Sequence, residues 1–290
     1  MAVLIDTPLW PAHGTVFCHL VSDSSLEELH DLAERAGLPP RAFDRDHYDV
    51  PARLHQARVD AGARPTPMRE LAARLRASGL RRTKHDVATE VAARRHRLLA
   101  VWPLPEHHVA EQLLDAWNGP GRYYHDLRHL EEALSAADDL GNAERATTLA
   151  IWFHDAVYEG HPGGDEEASA RLAERTLTDL LPAAEVAEVA RLVRLTAGHA
   201  PALGDARGEV LCDADLSILG RDVARYDVYR RDVRREYADV PLPEYRRGRA
   251  AVLRHLAGLQ PLYRTPAGRE LWSAQAEANL DRELSLFEAP

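Results

Sequence analysis

The sequence predicts an α+β protein, with a small α/β domain at residues 1–82 followed by an all-helical bundle at residues 87–290. Three observations support this division. In the first part, short apolar runs alternate with helical patterns, as interleaved strands and helices require. From residue 87 onward, alternating β-branched residues are missing and apolar residues recur at helical spacing. The polar segment LRRTKHD, Leu80–Asp86, is typical of a short hinge between two domains.

The elements of the first part follow from apolar runs and helix-start signals. Ser24 followed by Glu27 predicts a capping box, and the helix that it opens should end before Gly37. The segment DHYD that follows is interpreted as a polar loop. Two strands and then two further helices are predicted, in chain order, at Ala2–Ile5, Thr15–Val21, Ala52–Ala61 and Pro67–Ala77.

Ten helices are predicted in the second part, because Pro and Gly separate stretches of helical periodicity. They lie at Val87–Val101, Glu106–Trp117, His125–Leu140, Ala143–Glu159, Glu166–Leu181, Ala184–Ala197, Val210–Gly220, Arg221–Tyr237, Leu242–Gly258 and Ala267–Leu286.

The composition limits the class of protein. With 45% hydrophobic and 28% charged residues, the chain resembles a soluble globular protein. Its net charge of −10 argues against nucleic acid as a broad polyanionic partner. No apolar run is long enough to span a membrane, and the N-terminus lacks the pattern of a signal peptide, so we expect a cytoplasmic protein. The two cysteines, Cys18 and Cys212, argue against a disulfide framework. The sequence predicts no oligomeric state.

The most informative stretch for function is IWFHDAVY, Ile151–Tyr158, which places His154 beside Asp155 in an apolar run. An unpaired charge there would be costly to desolvate, so both side chains need partners, and a divalent metal ion would serve both. One His, a His-Asp pair and a later Asp on separate helices would make a closed set of nitrogen and oxygen ligands. A His pair upstream and an Asp pair downstream are candidates: His125, His129, Asp213 and Asp215.

This second part also resembles a known family. Seven strings occur in the family's order between about residues 100 and 285, namely YYHDLRHLEEAL, LAIWFHDAVYE, DEEASA, LCDADLSILG, VRREYADVP, YRRGRAAVL and EANLDREL. Together they resemble the HD-domain metal-dependent phosphohydrolases, in a predicted bacterial branch whose substrate is unassigned. The resemblance implies an HD-type helical bundle, and it implies metal ligands at His129, His154, Asp155 and Asp215.

Two His and two Asp would suit Mn²⁺, Fe²⁺, Co²⁺, Ni²⁺ or Mg²⁺, and Zn²⁺ less exclusively. We expect one ion. A second ion is the alternative, because some enzymes of this family recruit further His residues, and His161 and His199 are the candidates here.

Further roles are predicted around these ligands. His125 would contact the substrate or orient water, and Asp213 would contact the ligands or the substrate. Glu159, one turn beyond Asp155 on the predicted helix, would exchange a proton. Arginine is suited to phosphate because it donates in bidentate fashion. The candidates for substrate binding are Arg122, Arg128 and Arg234.

The resemblance implies a metal-dependent hydrolase of a phosphate ester, with a nucleotide or another small phosphorylated metabolite as substrate. Two alternatives stay open. The helical HD fold also hosts di-iron oxygenases, and a non-catalytic protein could use the same site to sense a nucleotide.

The first part carries a resemblance of its own. CHLVSDSSLEELHDLAERAGLP and DHYDVP are similar to a small uncharacterised domain of phage and bacterial proteins, and this similarity implies no activity. A polar set there forms a candidate ligand site, although a polar loop and a helix start would also explain it: His19, Asp23, His47 and Asp49.

Overall fold

The computed structural model describes residues 2–141, 144–161 and 163–288. The chain divides into two compact units, Met1–Glu90 and Val91–Pro290. The first contains a small sheet with helices and the second is helical, so the predicted α+β class is confirmed. Within the described part of the chain, no helix is both long and apolar enough to cross a membrane.

The first unit is built on one mixed sheet. Its strands are β1 (Val3–Ile5), β2 (Trp10–Ala12), β3 (Thr15–Ser22), β4 (Phe43–Asp44), β5 (His47–Pro51) and β6 (Arg64–Pro65). The strand order is β4-β5-β3-β1-β6, and β2 pairs with β3 at the side. The β1–β6 pair is parallel, and the pairs β1–β3, β2–β3, β3–β5 and β4–β5 are antiparallel.

Side chains alternate between the two faces of this sheet, which explains how three helices cover it. The helices are α1 (Leu26–Arg35), α2 (His55–Asp60) and α3 (Met68–Ala77). Val3 and Ile5 pack in one cluster with residues of α1. Leu4, between them in sequence, packs in another cluster with Leu71 and Leu75 of α3. Strand β1 is therefore buried on both faces.

Two local predictions for the first unit were wrong. DHYD lies mostly in strand β5 rather than in a loop, because Tyr48 and Val50 point into the core while Asp49 between them does not. The helix cap lies one residue later than predicted. The Ser25 hydroxyl accepts a hydrogen bond from the Glu28 backbone N–H at 3.1 Å, and this interaction defines the start of α1.

The helices that follow correspond one to one with those predicted. They are α4 (Lys84–Ala100), α5 (His107–Trp117), α6 (Leu127–Asp139), α7 (Arg145–Phe153), α8 (Gly164–Leu177), α9 (Ala183–Leu195), α10 (Ala206–Asp215), α11 (Val223–Glu236), α12 (Leu242–Gly258) and α13 (Pro266–Glu288). A 3₁₀ turn, Leu216–Gly220, extends α10. The predicted start of the fourth helix at Ala143 lies outside the described residues.

Local capping moved several helix ends from their predicted positions. Thr83 and Asp86 form a reciprocal cap, with side-chain to backbone hydrogen bonds of 2.8 and 3.1 Å, so α4 begins inside the predicted hinge. Asp126 caps α6, and its carboxylate accepts from the backbone N–H groups of Arg128 and His129. His125 is therefore outside the helix in which it was predicted.

The core of the second unit is rich in aromatic side chains. Trp117 and Trp152 are fully buried, and the Trp117 indole donates a hydrogen bond of 2.9 Å to the Trp152 carbonyl oxygen. This bond ties the end of α5 to the end of α7, next to His154. Burial of two such large apolar side chains fixes the position of the chain where His154 and Asp155 lie.

We predict that Gly220→Ala lowers the free energy of unfolding by about 1–3 kcal/mol, as overpacking of a core does. A Cβ at Gly220 would overlap the Trp272 side chain and lie 2.8 Å from its Cα. The matched control is Gly248→Ala on the exposed face of α12, where an added Cβ meets nothing within 4 Å. There, alanine should stabilise the helix slightly. Denaturant unfolding of both variants checks this, and equal stabilities would contradict it.

Candidate metal centre

Three helix ends bring four predicted ligands together. His129 lies in the first turn of α6, His154 caps the end of α7 and is followed by Asp155, and Asp215 is the last residue of α10. The side chains of both His residues are almost fully buried, with 2% and 1% exposed, whereas the two carboxylates are 16% and 13% exposed. The nitrogens therefore lie at the bottom of the cluster and the carboxylates near its mouth.

The possible ligand atoms of the four residues lie 3.1–3.8 Å from their neighbours in the cluster. The Nε2 atoms of His129 and His154 are 3.2 Å apart. Asp215 Oδ1 lies 3.1 Å from His129 Nε2 and 3.5 Å from His154 Nε2. Asp155 Oδ2 lies 3.3 Å from His154 Nε2 and 3.8 Å from His129 Nε2.

These separations fit the spacing of ligands around one ion. With metal–ligand distances of about 2.1 Å, neighbouring ligand atoms are roughly 3.0 Å apart in octahedral and roughly 3.4 Å apart in tetrahedral sites. The observed values fall around this range. Each of these nitrogen and oxygen atoms can offer a lone pair, so a proton or a metal cation has to lie between them. The residues therefore fit a divalent ion.

Neighbouring groups orient one of the imidazoles for such a role. His154 Nδ1 donates to the Ile151 carbonyl oxygen at 2.7 Å, so its Nε2 is the atom left to accept. The ring of Trp117 packs against both imidazoles, with centroids 5.9 Å from His129 and 5.3 Å from His154. Tyr124 packs on His129 from another side. The ligands are therefore held by rigid aromatic neighbours.

The charges in the cluster favour a cation. Burial opposes protonation of His154, but the carboxylates of Asp155 and Asp215 outweigh it and raise the pKa of His154. Burial would raise the pKa of Asp155, yet the adjacent His154 lowers it. Burial would also raise the pKa of Asp215, but the neighbouring His154 lowers it. A pocket that stabilises a proton in this way also stabilises a metal ion, which competes for the same lone pairs.

His199, one of the two residues predicted for a second ion, contacts the cluster. Its Nε2 lies 2.8 Å from Asp215 Oδ2, the oxygen that does not face His129. Its backbone is in the left-handed region, with φ 49°. Such a conformation is uncommon for a residue other than glycine and is often found at functional sites. His161, the other candidate, is exposed and lies 3.7 Å from Glu159 rather than at the cluster.

His125 lies beside the cluster and is held by partners that the sequence did not indicate. Its Nδ1 lies 2.7 Å from Glu236 Oε2, and its ring stacks on Tyr158 with 4.1 Å between centroids. Tyr158 also donates to Glu236 Oε2, at 3.1 Å. Burial alone would lower the pKa of His125, but the nearby Glu236 carboxylate raises it. The only sequence signal for Glu236 is its place in the VRREYADVP string, because the contact joins residues far apart in the chain.

The three arginines predicted to bind substrate are engaged elsewhere. Arg122 donates to the carbonyl oxygens of His125, Asp155 and Ala156, so it braces the loops that carry the site. The Arg128 guanidinium lies 2.5 Å from the Asp232 carboxylate. Arg234 donates to carbonyl oxygens after α11 and covers the ring of Tyr245. Each of the three guanidinium groups therefore has protein partners already.

Two predicted catalytic residues, Asp213 and Glu159, do not face the cluster of His129, His154, Asp155 and Asp215. Asp213 is fully buried and accepts three hydrogen bonds, from the Arg264 N–H, the Thr265 N–H and the Thr265 hydroxyl. It therefore holds the start of α13. Glu159 has a side chain that is 72% exposed, because α7 ends at Phe153 and the expected extra turn does not form.

In the first unit, His19, His47 and Asp49 form a second cluster, with one ligand atom of each within 4.8 Å of the others. Asp23 is not part of it. Its carboxylate accepts from the Ala2 N–H at 2.7 Å and pairs with Arg74 of α3. Of the four residues predicted there, the structure therefore brings three together.

Comparison with known proteins gives one match. Residues 3–78 match the family described as protein of unknown function (DUF4031). This match confirms that the first part carries a domain of unknown function, and it assigns no activity. No curated protein and no solved structure matches the chain.

Proposed function

We propose that the protein is a metal-dependent hydrolase of a small phosphate ester, with an HD-type site in its second unit. The observation that carries the proposal is the cluster of His129, His154 and Asp155, whose ligand atoms all lie within 4.8 Å of one another, together with Asp215, whose Oδ1 lies 3.1 Å from His129 Nε2. The ordered strings that resemble HD-domain phosphohydrolases support the same conclusion from the sequence.

The four clustered side chains would hold the ion. A divalent ion bound there polarises a phosphoryl oxygen and lowers the pKa of a bound water. The two carboxylates, which are partly exposed, lie on the side from which a substrate can approach. The buried imidazoles exclude water from the opposite side.

His125 would move a proton at the leaving oxygen of the ester. Glu236 accepts from Nδ1 and stabilises the charged imidazolium, so Nε2 is the atom available to a substrate. Tyr158 fixes the plane of the ring by stacking. Because Arg122, Arg128 and Arg234 are engaged with the protein, the ion and the His125 imidazolium would supply the positive charge that a phosphate group needs.

The direct test is a screen for phosphate release. The purified full-length protein is reconstituted separately with Mn²⁺, Fe²⁺, Co²⁺, Ni²⁺, Mg²⁺ or Zn²⁺ and offered nucleotides, cyclic nucleotides and sugar phosphates. The proposal predicts metal-dependent release from at least one class, abolished by a chelator and restored by the ion. Tight nucleotide binding without turnover under every metal would instead support a sensing role.

One contact favours a two-metal variant of the site, and with it the di-iron oxygenase alternative. Asp215 faces His129 and His154 with Oδ1 and His199 with Oδ2, as a carboxylate shared by two ions would. Iron-reconstituted protein distinguishes the two chemistries. A mixed-valent iron signal with oxygen consumption would favour the oxygenase, and phosphate release without oxygen consumption would favour the hydrolase.

We predict that His125→Ala lowers kcat by about 10²–10⁴-fold, the usual contribution of a general acid or base, while the bound metal stays. The reason is that His125 contacts Glu236 and Tyr158 but is not among the clustered ligands. Steady-state kinetics and metal analysis of the same preparation check it. The control is His108→Ala, on the exposed side of α5. Loss of metal from the His125 variant would contradict the assignment.

A further inference from the structure

The second His-Asp cluster arises from the strand pairing in the first unit. In the antiparallel pair β3–β5, His19 lies directly opposite Asp49. His47 is two residues before Asp49 on β5, and successive alternate residues of a strand share a face. All three side chains therefore lie on one face of the sheet. Their exposed fractions are 25% for His19, 13% for His47 and 48% for Asp49.

Each imidazole of this cluster is held from behind by a buried carboxylate. His19 Nδ1 lies 3.0 Å from Asp6 Oδ2, and the other Asp6 oxygen accepts from the His19 backbone N–H at 2.6 Å. His47 Nδ1 lies 2.7 Å from Asp46 Oδ1. The side chains of Asp6 and Asp46 have no exposed surface. Carboxylates that hold the far nitrogen of an imidazole in this way are typical of metal-ligating His residues.

The near nitrogens of the two imidazoles converge on one oxygen. Asp49 Oδ1 is 4.0 Å from His19 Nε2 and 3.6 Å from His47 Nε2. Both separations are too long for hydrogen bonds. They are slightly wider than the roughly 3.4 Å expected between ligands of one tetrahedral ion, and the half-exposed Asp49 has room to close the difference. Two imidazole nitrogens held in place and one movable carboxylate could therefore bind an ion, whereas they do not hydrogen-bond to one another.

A cavity of about 310 Å³ adjoins this cluster, and His19, His47 and Asp6 line it. Trp10 and two arginines, Arg76 and Arg81, also contribute to its wall. Arg81 lies 3.3 Å from Asp46, whereas Arg76 has no ion-pair partner among the described residues. A guanidinium at the wall of a cavity that also contains two His residues favours an anionic ligand.

We propose that the first unit contains its own metal site, in which His19, His47 and Asp49 bind a first-row transition-metal dication. Two His and one carboxylate would leave coordination positions open, and the cavity that both imidazoles line would hold a further ligand. The ligand that completes the site is a small anion held by Arg76. This site is separate from the cluster of the second unit and does not depend on the hydrolase proposal.

Metal stoichiometry in the full-length chain tests the site. Four proteins are loaded with Co²⁺, desalted and analysed for bound metal: the unchanged chain, Asp49→Ala, His154→Ala and the double variant. If both metal sites exist, they should hold two, one, one and no ions. If only the site of the first unit exists, the unchanged chain and His154→Ala should each hold one ion, and both Asp49 variants none.

Asp49→Ala should leave the fold intact, because the Asp49 side chain is half exposed and, among the described residues, it faces the two His side chains. His47→Ala provides a second variant with the same expected loss of one ion. The matched control is Asp44→Ala on β4, where an aspartate of similar exposure pairs with Arg45. Metal content equal to that of the parent in both Asp49→Ala and His47→Ala, with unchanged thermal unfolding, would overturn the site.

Inorganic phosphate tests the anion. Added to Co²⁺-loaded His154→Ala protein, it should change the visible Co²⁺ spectrum in a saturable way. Arg76→Ala should weaken this response about tenfold, as loss of one charge-assisted hydrogen bond does. Arg69→Ala, on the same helix but outside the cavity wall, should leave it unchanged. A spectrum that does not respond, or an equal response after Arg76→Ala, would overturn the anion assignment.

Discussion

Replacing His154 or Asp155 with alanine should remove the bound metal and the hydrolytic activity together. Each residue supplies a ligand atom within 3.3 Å of the other and close to His129. Loss of an outer partner of a metal ligand weakens metal affinity by roughly 10–100-fold, so loss of a ligand itself should weaken it further. Metal analysis and phosphate release, measured on the same preparations, report the two effects.

Further variants of His154 and Asp155 distinguish loss of the metal from unfolding of the protein. His154 is fully buried, so alanine leaves a cavity, whereas His154→Gln and Asp155→Asn keep most of the volume. Helicity and thermal unfolding of these variants show whether the fold persists. His108→Ala, on an exposed helix face, controls for loss of any histidine. A folded Asp155→Ala protein with full metal occupancy would refute the proposed ligand set.

Asparagine substitutions at the two aspartates of the DAD string should affect different properties, metal binding in one case and stability in the other. Asp215→Asn should impair metal binding with little effect on the rest of the fold, because Asp215 faces His129, His154 and His199. Asp213→Asn should keep the metal and lower the free energy of unfolding by about 1–3 kcal/mol. The reason is that Asp213 accepts from the Arg264 N–H and twice from Thr265, and an amide cannot replace every one of these acceptors.

Isothermal metal titration and denaturant unfolding of both variants measure this contrast. The Thr265 hydroxyl also accepts from the Gly268 N–H, so Thr265→Val should reproduce the loss of stability seen in Asp213→Asn. If Asp213→Asn lost the metal while Asp215→Asn retained it, the ligand would have to be moved to Asp213.

Much of the fold could be predicted from local sequence patterns. Helical periodicity in the second part located each helix, because apolar spacing and Pro or Gly boundaries are properties of nearby residues. Strand β5 was missed because its alternation rests on only two buried residues, Tyr48 and Val50, beside charged neighbours. Helix ends were also misplaced where one side chain decides them, as Asp126 does for α6.

The site was predictable only in part, and for a physical reason. The set of His129, His154, Asp155 and Asp215 came from the resemblance, and the structure brings these residues together at three helix ends. The pair of His125 and Glu236 depends on a contact across 111 positions of the chain, which no local pattern contains. Asp213 and Asp215 have the same side chain, and only their different positions in the last turn of α10 direct Asp213 to the start of α13 and Asp215 to the cluster.

The most direct test of the proposed metal centre is anomalous X-ray diffraction from crystals of the Mn²⁺- or Co²⁺-loaded protein, recorded at the absorption edge of the metal. We predict a peak about 2.0–2.2 Å from the Nε2 atoms of His129 and His154, with Asp155 and Asp215 also bound. A metal-loaded, active protein with no peak between these four side chains would contradict the proposal.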